Sequence, residues 1–525
     1  MSTLATSAER TASTCVLAGP PGVGKTSVAP LAAARLGVPA LDLDEVITVQ
    51  EGRAPAQIIE TNGEPRFRQA ELHALQSLSK GSAVLALGGG TLTTAQARGA
   101  ARRFGPVFGL QASQDTLQKR LQSGTGPRRP LLDQGLQALL QSREASSLSV
   151  DLRIDAEGSP EQVADVVALK AQQLTHIEAP VGPGHTRVLV GHGLDHAAVG
   201  ALAHLEPQRP VLVLVDQGVP ADAQARILDP VRAHFDTHVV PVPGGESVKQ
   251  WAFAGQVLQD ALAAGCGRQS VVLALGGGAT CDLGGFVAHL LGRGAPLLLM
   301  PSTLLAQVDA SVGGKCAVNM PAGRNLVGAF HPASDVLIDP SLLQSLDSAE
   351  YRSGLAELLK IGIIGDEQLF EALVRQKRAD TELIGRAVRL KAAIVARDPY
   401  DLGERRTLNL GHTLGHALET ASAHQLRHGE AVAIGIAAMA RYSAAAGWTS
   451  DAVAKRVIDG LEALGLPTSA EPNLLRQAAE HIGADKKGAA GNVALICIHG
   501  VAHVQVRTLP LNEARQCLVR HGEPR

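Results

Sequence analysis

Aromatic side chains are scarce, with two Trp, three Tyr and eight Phe in 525 residues. So few rings exclude the stacking platforms on which proteins hold unpaired bases. Neither sign of charge dominates. Forty-eight basic and 50 acidic side chains leave a net charge of −2, which gives no nucleic acid or membrane surface an electrostatic hold. No apolar run approaches the ~20 residues that cross a bilayer. The first dozen residues also lack the apolar centre of a signal peptide, so a cytoplasmic protein is expected. The six cysteines (Cys15, Cys266, Cys281, Cys316, Cys497 and Cys517) are scattered, with no C-x-x-C pair. Reduced, buried thiols fit this better than a disulfide framework or a cysteine zinc site.

What is present is globular. Hydrophobic residues make up 45% and charged residues 19%. At roughly 100–200 residues per domain the length suggests about three or four folding units. Short apolar runs at 14–18, 84–87 and 106–110 alternate with helical patterns up to about Lys170, the signature of a parallel α/β sheet. A second alternating region has runs at 187–190, 211–215, 239–242 and 271–275. After about Asp347, long Ala/Leu-rich segments at 354–364, 383–396 and 431–446 predict a third, mainly helical domain. The Pro/Gly stretch 179–185 reads as a linker. The domains expected are 1–176, 177–346 and 347–525.

Two motifs carry chemistry. Gly19-Pro-Pro-Gly22-Val-Gly24-Lys25-Thr26 joins a strand to a helix, the setting of a phosphate-binding loop. Its glycines let backbone N–H groups approach phosphate oxygens, Lys25 reaches the terminal phosphates, and Thr26 can bind Mg²⁺. Gly276-Gly277-Gly278 follows another buried strand, which suits close approach to a pyrophosphate. Spacing alone pairs His412 with His416, four apart on one helix face, as metal ligands. The plainer alternatives are a helix cap for Asp42 or Asp44, a strand-end turn residue for Asp216, and a solvated charge for any single Lys.

Residues 14–170 resemble shikimate kinase. The resemblance rests on the loop, on Asp42-Leu-Asp44, on Gly63-Glu-Pro-Arg-Phe-Arg68-Gln-Ala-Glu71, on Gly88-Gly89-Gly90 and on Arg128-Arg129-Pro130. It implies a P-loop α/β fold that transfers phosphate from ATP to shikimate with Mg²⁺. ATP and Mg²⁺ would meet Gly22, Gly24, Lys25, Thr26, Ser27 and Asp42, with Arg129 in a lid. Asp44, Arg68, Gly88, Gly89, Gly90 and Arg143 would bind shikimate. Asp44, Lys25 and Arg129 would serve catalysis. The Tyr usual shortly after Arg143 is missing.

Residues from about 185 to 520 resemble 3-dehydroquinate synthase. The match rests on the block from Gly276 to Phe286, on Pro301-Ser302-Thr303 through Lys315, on Gly354-Leu-Ala-Glu357, on Leu408-Asn-Leu-Gly-His412 and on His428-Gly-Glu. It implies a Rossmann-like NAD⁺ domain followed by a helical metal domain. The reaction would convert 3-deoxy-D-arabino-heptulosonate 7-phosphate to 3-dehydroquinate with phosphate release. NAD⁺ would lie against Asp216, Glu246, Lys249, Gly277, Gly278 and Asp282, with Ser302, Thr303, Arg324, Leu342 and Ser345 completing the site. Glu357, His412 and His428 would hold Zn²⁺ (or Co²⁺). His416 would move protons instead, with Lys315 and Asp401. Arg293, Asp309, Lys315, Asn325, Lys360, Lys391, Arg405, Asn409 and Lys486 would bind the substrate. Several cations converging on a carboxylate and a phosphate fit its charge.

Three positions depart from that family: Arg324 replaces a usual Lys, Asp401 a usual Glu, and Cys281 a common Gly. The competing readings are another sugar-phosphate cyclase in the longer part and a non-catalytic nucleotide-binding module in the shorter. Partners are small molecules, with no nucleic acid or membrane, and the family implies a homodimer through the synthase part. A chain cut in the 179–185 stretch is expected to leave two independently active pieces.

Overall fold

The computed structural model describes residues 14–78, 81–123, 135–321, 323–483 and 491–523. The first unit is a five-stranded parallel sheet, ordered Ala40–Asp42, Val84–Ala86, Cys15–Ala18, Val107–Gln111, Leu152–Asp155. Its central strand is buried on both faces, which is why it reads as an unbroken apolar run. Cys15 and Leu17 join one core cluster, Val16 and Ala18 another, as the two-residue period of a strand requires. The central strand ends at Ala18, so the loop from Gly19 to Gly24 opens at the carboxyl edge of the sheet and feeds the helix Lys25–Leu36.

The second unit is a seven-stranded sheet, ordered Thr175–Val181, Gly184–Val190, Asp335–Ile338, Leu297–Pro301, Val272–Gly276, Val211–Asp216, Thr237–Val242. All neighbours are parallel except the first pair. The helices Ser348–Gly365, Thr381–Arg397, His412–Ala421 and His428–Ala445 dominate the remainder. Two antiparallel hairpins were not anticipated, Lys315–Met320 with Gly323–Phe330 and Asn492–Gly500 with His503–Pro510. No helix among the described residues is long and apolar enough to cross a membrane.

The stretch 179–185 is not a linker. Strand Thr175–Val181 turns at Gly182-Pro183 and pairs back with Gly184–Val190, Val181 opposite Gly184. Gly182 has φ 60°, which glycine adopts without strain. The same Pro/Gly composition that marks linkers also marks tight hairpin turns. The first unit's last helix, Pro160–Gln172, ends three residues before this strand. A boundary at 176/177 therefore falls inside the second sheet's edge strand.

The two units share a buried interface. Helix Ala95–Phe104 packs on helix Asp195–Leu205. Beneath them lie four charges, Arg102 and Asp151 from the first unit and Arg187 and Asp335 from the second, none more than 6% exposed. The bonds across the interface are short, Arg102 to Asp335 at 2.6 Å and Arg187 to Asp151 at 2.5 Å. Those within each unit, Arg102 to Asp151 and Arg187 to Asp335, are both 3.2 Å. Asp151 also accepts from Val107 N at 2.7 Å. Burial pushes its carboxyl up, but Arg187 and Arg102 outweigh that and bring it to about 2. The two halves are thus held together by buried ion pairs as well as by the chain.

Two candidate active sites

The first site is a cavity of about 1030 Å³ at the carboxyl edge of the five-stranded sheet. Gly22, Gly24, Lys25, Thr26, Ser27, Asp42 and Asp44 line one part of it, and Arg68, Gly88, Gly89, Gly90 and Arg143 another. Lys25 Nζ donates to the carbonyls of Gly19 and Pro20 at 2.7 and 3.1 Å. Thr26 Oγ1 donates to Asp42 Oδ2 at 3.0 Å, which pairs a hydroxyl with a carboxylate at the loop. Asp42 also caps the helix Leu43–Glu51, its Oδ1 accepting from Asp44 N at 2.9 Å. The cap and the site therefore use the same side chain.

Arg68 and Arg143 converge above Gly90. A Cβ there would lie 2.4 Å from one guanidinium and 2.9 Å from the other. Glu71, 1% exposed, binds Arg68 at 2.5 Å and Thr91 Oγ1 at 2.6 Å. Arg143 donates to Gly89 O at 2.8 Å. Burial and the neighbouring Arg68 charge lower its pKa. Glu64 and Glu71 offset the charge on Arg68 and let the two guanidiniums stand side by side, a geometry that suits a carboxylate.

The second site gathers at the carboxyl ends of the seven-stranded sheet and the helices that follow. Helix Gly278–Leu290 begins directly after the strand Val272–Gly276, so its N-terminal amides face outward from the sheet. Asp216, at the end of the adjacent strand, accepts from Gly218 N at 2.9 Å, Thr280 Oγ1 at 3.1 Å and Gly277 N at 3.4 Å. It is both a turn residue and the anchor of the glycine loop. Lys249 Nζ bridges Asp282 and Asn325 at 2.7 and 2.6 Å. Glu246 accepts from Asn319 at 3.1 Å.

Glu357 is fully buried, and its Oε1 finds no hydrogen-bond donor in good geometry among the described residues. That oxygen faces Nε2 of His412 at 3.5 Å and Nε2 of His428 at 3.4 Å. The three could hold a metal ion together. His412 Nδ1 lies 3.2 Å from Leu410 O and His428 Nδ1 3.4 Å from Glu419 Oε2. These contacts turn both Nε2 atoms inward, the orientation of metal-binding histidines. Burial and Lys360 bring His412 down to about 3. His428 goes the other way. Burial lowers it, but the Glu357 and Glu419 carboxylates raise it to about 10. His416 is exposed and stands beside this trio, its ring 5.4 Å from that of His412. The i,i+4 spacing thus finds neighbours, but the buried carboxylate pairs His412 with His428.

The cations expected around a substrate are mostly here. Lys360 contacts Glu357, and Lys391 binds Asp309 Oδ1 at 2.5 Å. Lys315 meets Asp401 at 2.5 Å, and Arg405 donates to Gly313 O at 2.9 Å. Arg293 is exposed on a turn and takes part in none of these pairs. Asn409 ends the short helix Glu404–Asn409 and is exposed. Leu342 and Ser345 lie on the short helix Pro340–Ser345, Leu342 buried. Arg129 and Lys486 fall outside the described residues.

A 3-dehydroquinate synthase of Paracoccus denitrificans is 38% identical over 345 residues, which are 63% of this chain and 94% of that one. The chain belongs to the 3-dehydroquinate synthase family. A second synthase, from Nocardia farcinica, is 41% identical over 276 residues, 51% of this chain and 74% of its own length. Residues 239–353 match the synthase N-terminal family model and 354–488 the C-terminal one. Residues 21–171 match the shikimate kinase model. The chain is thus a bifunctional shikimate-pathway enzyme, with kinase and lyase activities on small-molecule substrates. Among solved structures, 2-deoxy-scyllo-inosose synthase shares the fold at 22% identity and TM-score 0.60, covering 66% of this chain and 100% of its own. The 2-epi-5-epi-valiolone synthase of Streptomyces hygroscopicus subsp. jinggangensis, with NAD⁺ and Zn²⁺ bound, is 27% identical at TM-score 0.54, covering 59% and 90%.

The synthase half contains a residue that sequence reasoning missed. Glu419, behind His428, also faces Arg324 at 3.8 Å. Its place one helical turn after His416 was the available signal. In the kinase half, Arg120 lines the cavity and Glu71 braces Arg68. Glu71 closes the Gly63–Glu71 motif, three residues after the arginine it braces.

Proposed function

We propose that the kinase half, up to about residue 174, phosphorylates shikimate, and that the synthase half carries its NAD⁺ site within about 175–346 and its metal and substrate site beyond. The kinase reading is carried by the two guanidiniums converging on Gly90 within the cavity that also holds the phosphate loop. Lys25 and the loop amides would bind the ATP phosphates, and Thr26 with Asp42 would hold Mg²⁺. Asp44, in the same cavity, would orient the acceptor hydroxyl or take its proton. Arg68 and Arg143 would fix the carboxylate, which positions that hydroxyl against the terminal phosphate.

In the synthase half the reading is carried by the orphaned Glu357 oxygen between two inward Nε2 atoms, a donor set that fits a divalent ion such as Zn²⁺ or Co²⁺. The glycine loop and the start of the Gly278–Leu290 helix fit a dinucleotide pyrophosphate. When bound, NAD⁺ and the metal would supply reversible hydride transfer and polarisation of the substrate's oxygens. The chain's own part is placement and proton handling. Lys315, Lys360, Lys391 and Arg405 would fix the substrate's anionic groups, while His416, at the exposed side of the metal trio, and Asp401, against Lys315, would move protons. A homodimer through the synthase half is proposed on family grounds. It is supported by the exposed Leu326, Phe330 and Tyr400, the last two in edge contact. The deciding experiment assays the purified chain for shikimate-dependent ADP formation and, separately, for phosphate release from the heptulosonate substrate. Absence of either product from a folded, metal-loaded protein removes that half of the reading.

A further inference from the structure

The glycine triplet that lies against the two guanidiniums and the segment that carries Arg143 both end in contacts with one helix of the other enzyme. The first arm starts at the glycine triplet. Thr91 N donates to Gly88 O at 3.3 Å, and Thr93 N and Oγ1 donate to Gly90 O at 3.1 and 2.7 Å, so the turn Thr91–Thr93 sets the triplet's carbonyls. That turn is held from behind by Arg98, whose Nη1 donates to Leu92 O at 3.0 Å. Arg98 is 4% exposed, and its other terminal nitrogen pairs with Glu206 of the synthase half.

The second arm starts at Arg143. Its carbonyl accepts from Ser146 Oγ at 2.8 Å and Ser147 N at 2.9 Å, and Ser149 N reaches back to Ser146 O at 3.2 Å. The next residue, Val150, lies on synthase Gly200 so closely that a Cβ there would stand 2.1 Å from Val150 O. Gly200 and Glu206 belong to one element, the helix Asp195–Leu205 and its C-cap.

Glu206 has a further peculiarity. Its φ is 50°, in the left-handed region where glycine or asparagine ends helices without strain. A glycine would suit the backbone better but would leave Arg98 without its carboxylate. We propose that the synthase helix Asp195–Leu205, through Gly200 and Glu206, is a positioning element of the kinase's acceptor site and sets its affinity for shikimate. This rests on the kinase reading above. Glu206 touches no substrate. It acts through Arg98 on the turn that shapes the receptor.

The test uses the full chain with Glu206→Gln and Gly200→Ala. For Glu206→Gln the KM for shikimate should rise about two- to fivefold, the range expected for a half-exposed ion pair. The KM for ATP, kcat and the synthase rate should stay at parent values. For Gly200→Ala, which moves the Val150 backbone, the same KM should rise about tenfold. Should Gly200→Ala fail to fold, Glu206→Gln alone decides. An unchanged shikimate KM in Glu206→Gln overturns the proposal, as does a parallel fall of all kinase and synthase parameters, which would mark a general structural role. A parent chain that makes no shikimate-dependent ADP defeats instead the kinase reading beneath it.

Discussion

Asp401 adopts a left-handed backbone at φ 61°, an uncommon state for a residue with a side chain. The loop around it is drawn tight by Asp398, which accepts from the amides of Leu402, Gly403 and Arg405 at 2.9, 2.7 and 3.0 Å. This turn brings the carboxylate to 2.5 Å from Lys315. Asp401→Asn keeps the shape and removes the charge facing Lys315. Phosphate release from the heptulosonate should then slow by about 10²-fold. A parent-like rate would place Asp401 outside the chemistry. In the other half, Lys25→Ala should abolish shikimate-dependent ADP formation and leave that phosphate release intact. A mutant with ordinary kinase rates would contradict the role of Lys25. Lys25 was legible because it sits in a contiguous motif, whereas Asp401 was named only by its place in the family's pattern. Glu419 was not, because its relation to His428 arises from two helices meeting in space.

The metal trio depends on how helices touch. Glu357 lies on Ser348–Gly365, His412 opens His412–Ala421, and His428 opens His428–Ala445. At Gly429 a Cβ would stand 2.3 Å from Ser353 O, and at Gly435 one would stand 2.2 Å from Gly411 O. The ligand-bearing helices therefore meet backbone to backbone, and only glycine permits that distance. Gly429→Ala should push the first and third helices apart, costing about 1–3 kcal/mol in overpacking. It should also lower bound zinc and synthase activity together, as read by metal analysis of the purified protein. Metal at parent stoichiometry would show that the spacing is not critical. His428→Ala should lose zinc and activity with less effect on Tm, since that side chain is only partly buried. The helices themselves were evident from their apolar period. The hairpin Asn492–Gly500 with His503–Pro510 was not, because a short apolar run inside a helical region has no period of its own to declare a strand.

Across the molecule, the Arg102–Asp335 bond joins residues 233 positions apart, a pairing that no local pattern announces. It makes the two enzymes one structure at their contact. Asp151→Asn should leave Arg102 and Arg187 sharing a single buried carboxylate, at a cost of about 3–5 kcal/mol. The loss should appear in thermal inactivation of the synthase as well as the kinase. Inactivation of the kinase alone would mean that the halves melt independently. The pH dependence follows from the depressed carboxyl. Asp151 titrates lower in the fold than in the unfolded chain, so its contribution is present above ~4, the unfolded carboxyl range. It fades as pH falls through about 2. Acidification to pH 5 should therefore leave the network intact.

Each half brings one arginine and one aspartate to the contact, and each could pair its own two charges if the other half were different. A lineage recombining these genes would meet an even-or-odd rule. An incoming half that carries both members, or neither, leaves no charge stranded. One that carries a single member buries an orphan ion, however well its remaining surface fits. Natural fusions and laboratory chimeras of this architecture should therefore keep or lose Arg102 with Asp151, and Arg187 with Asp335, as couples.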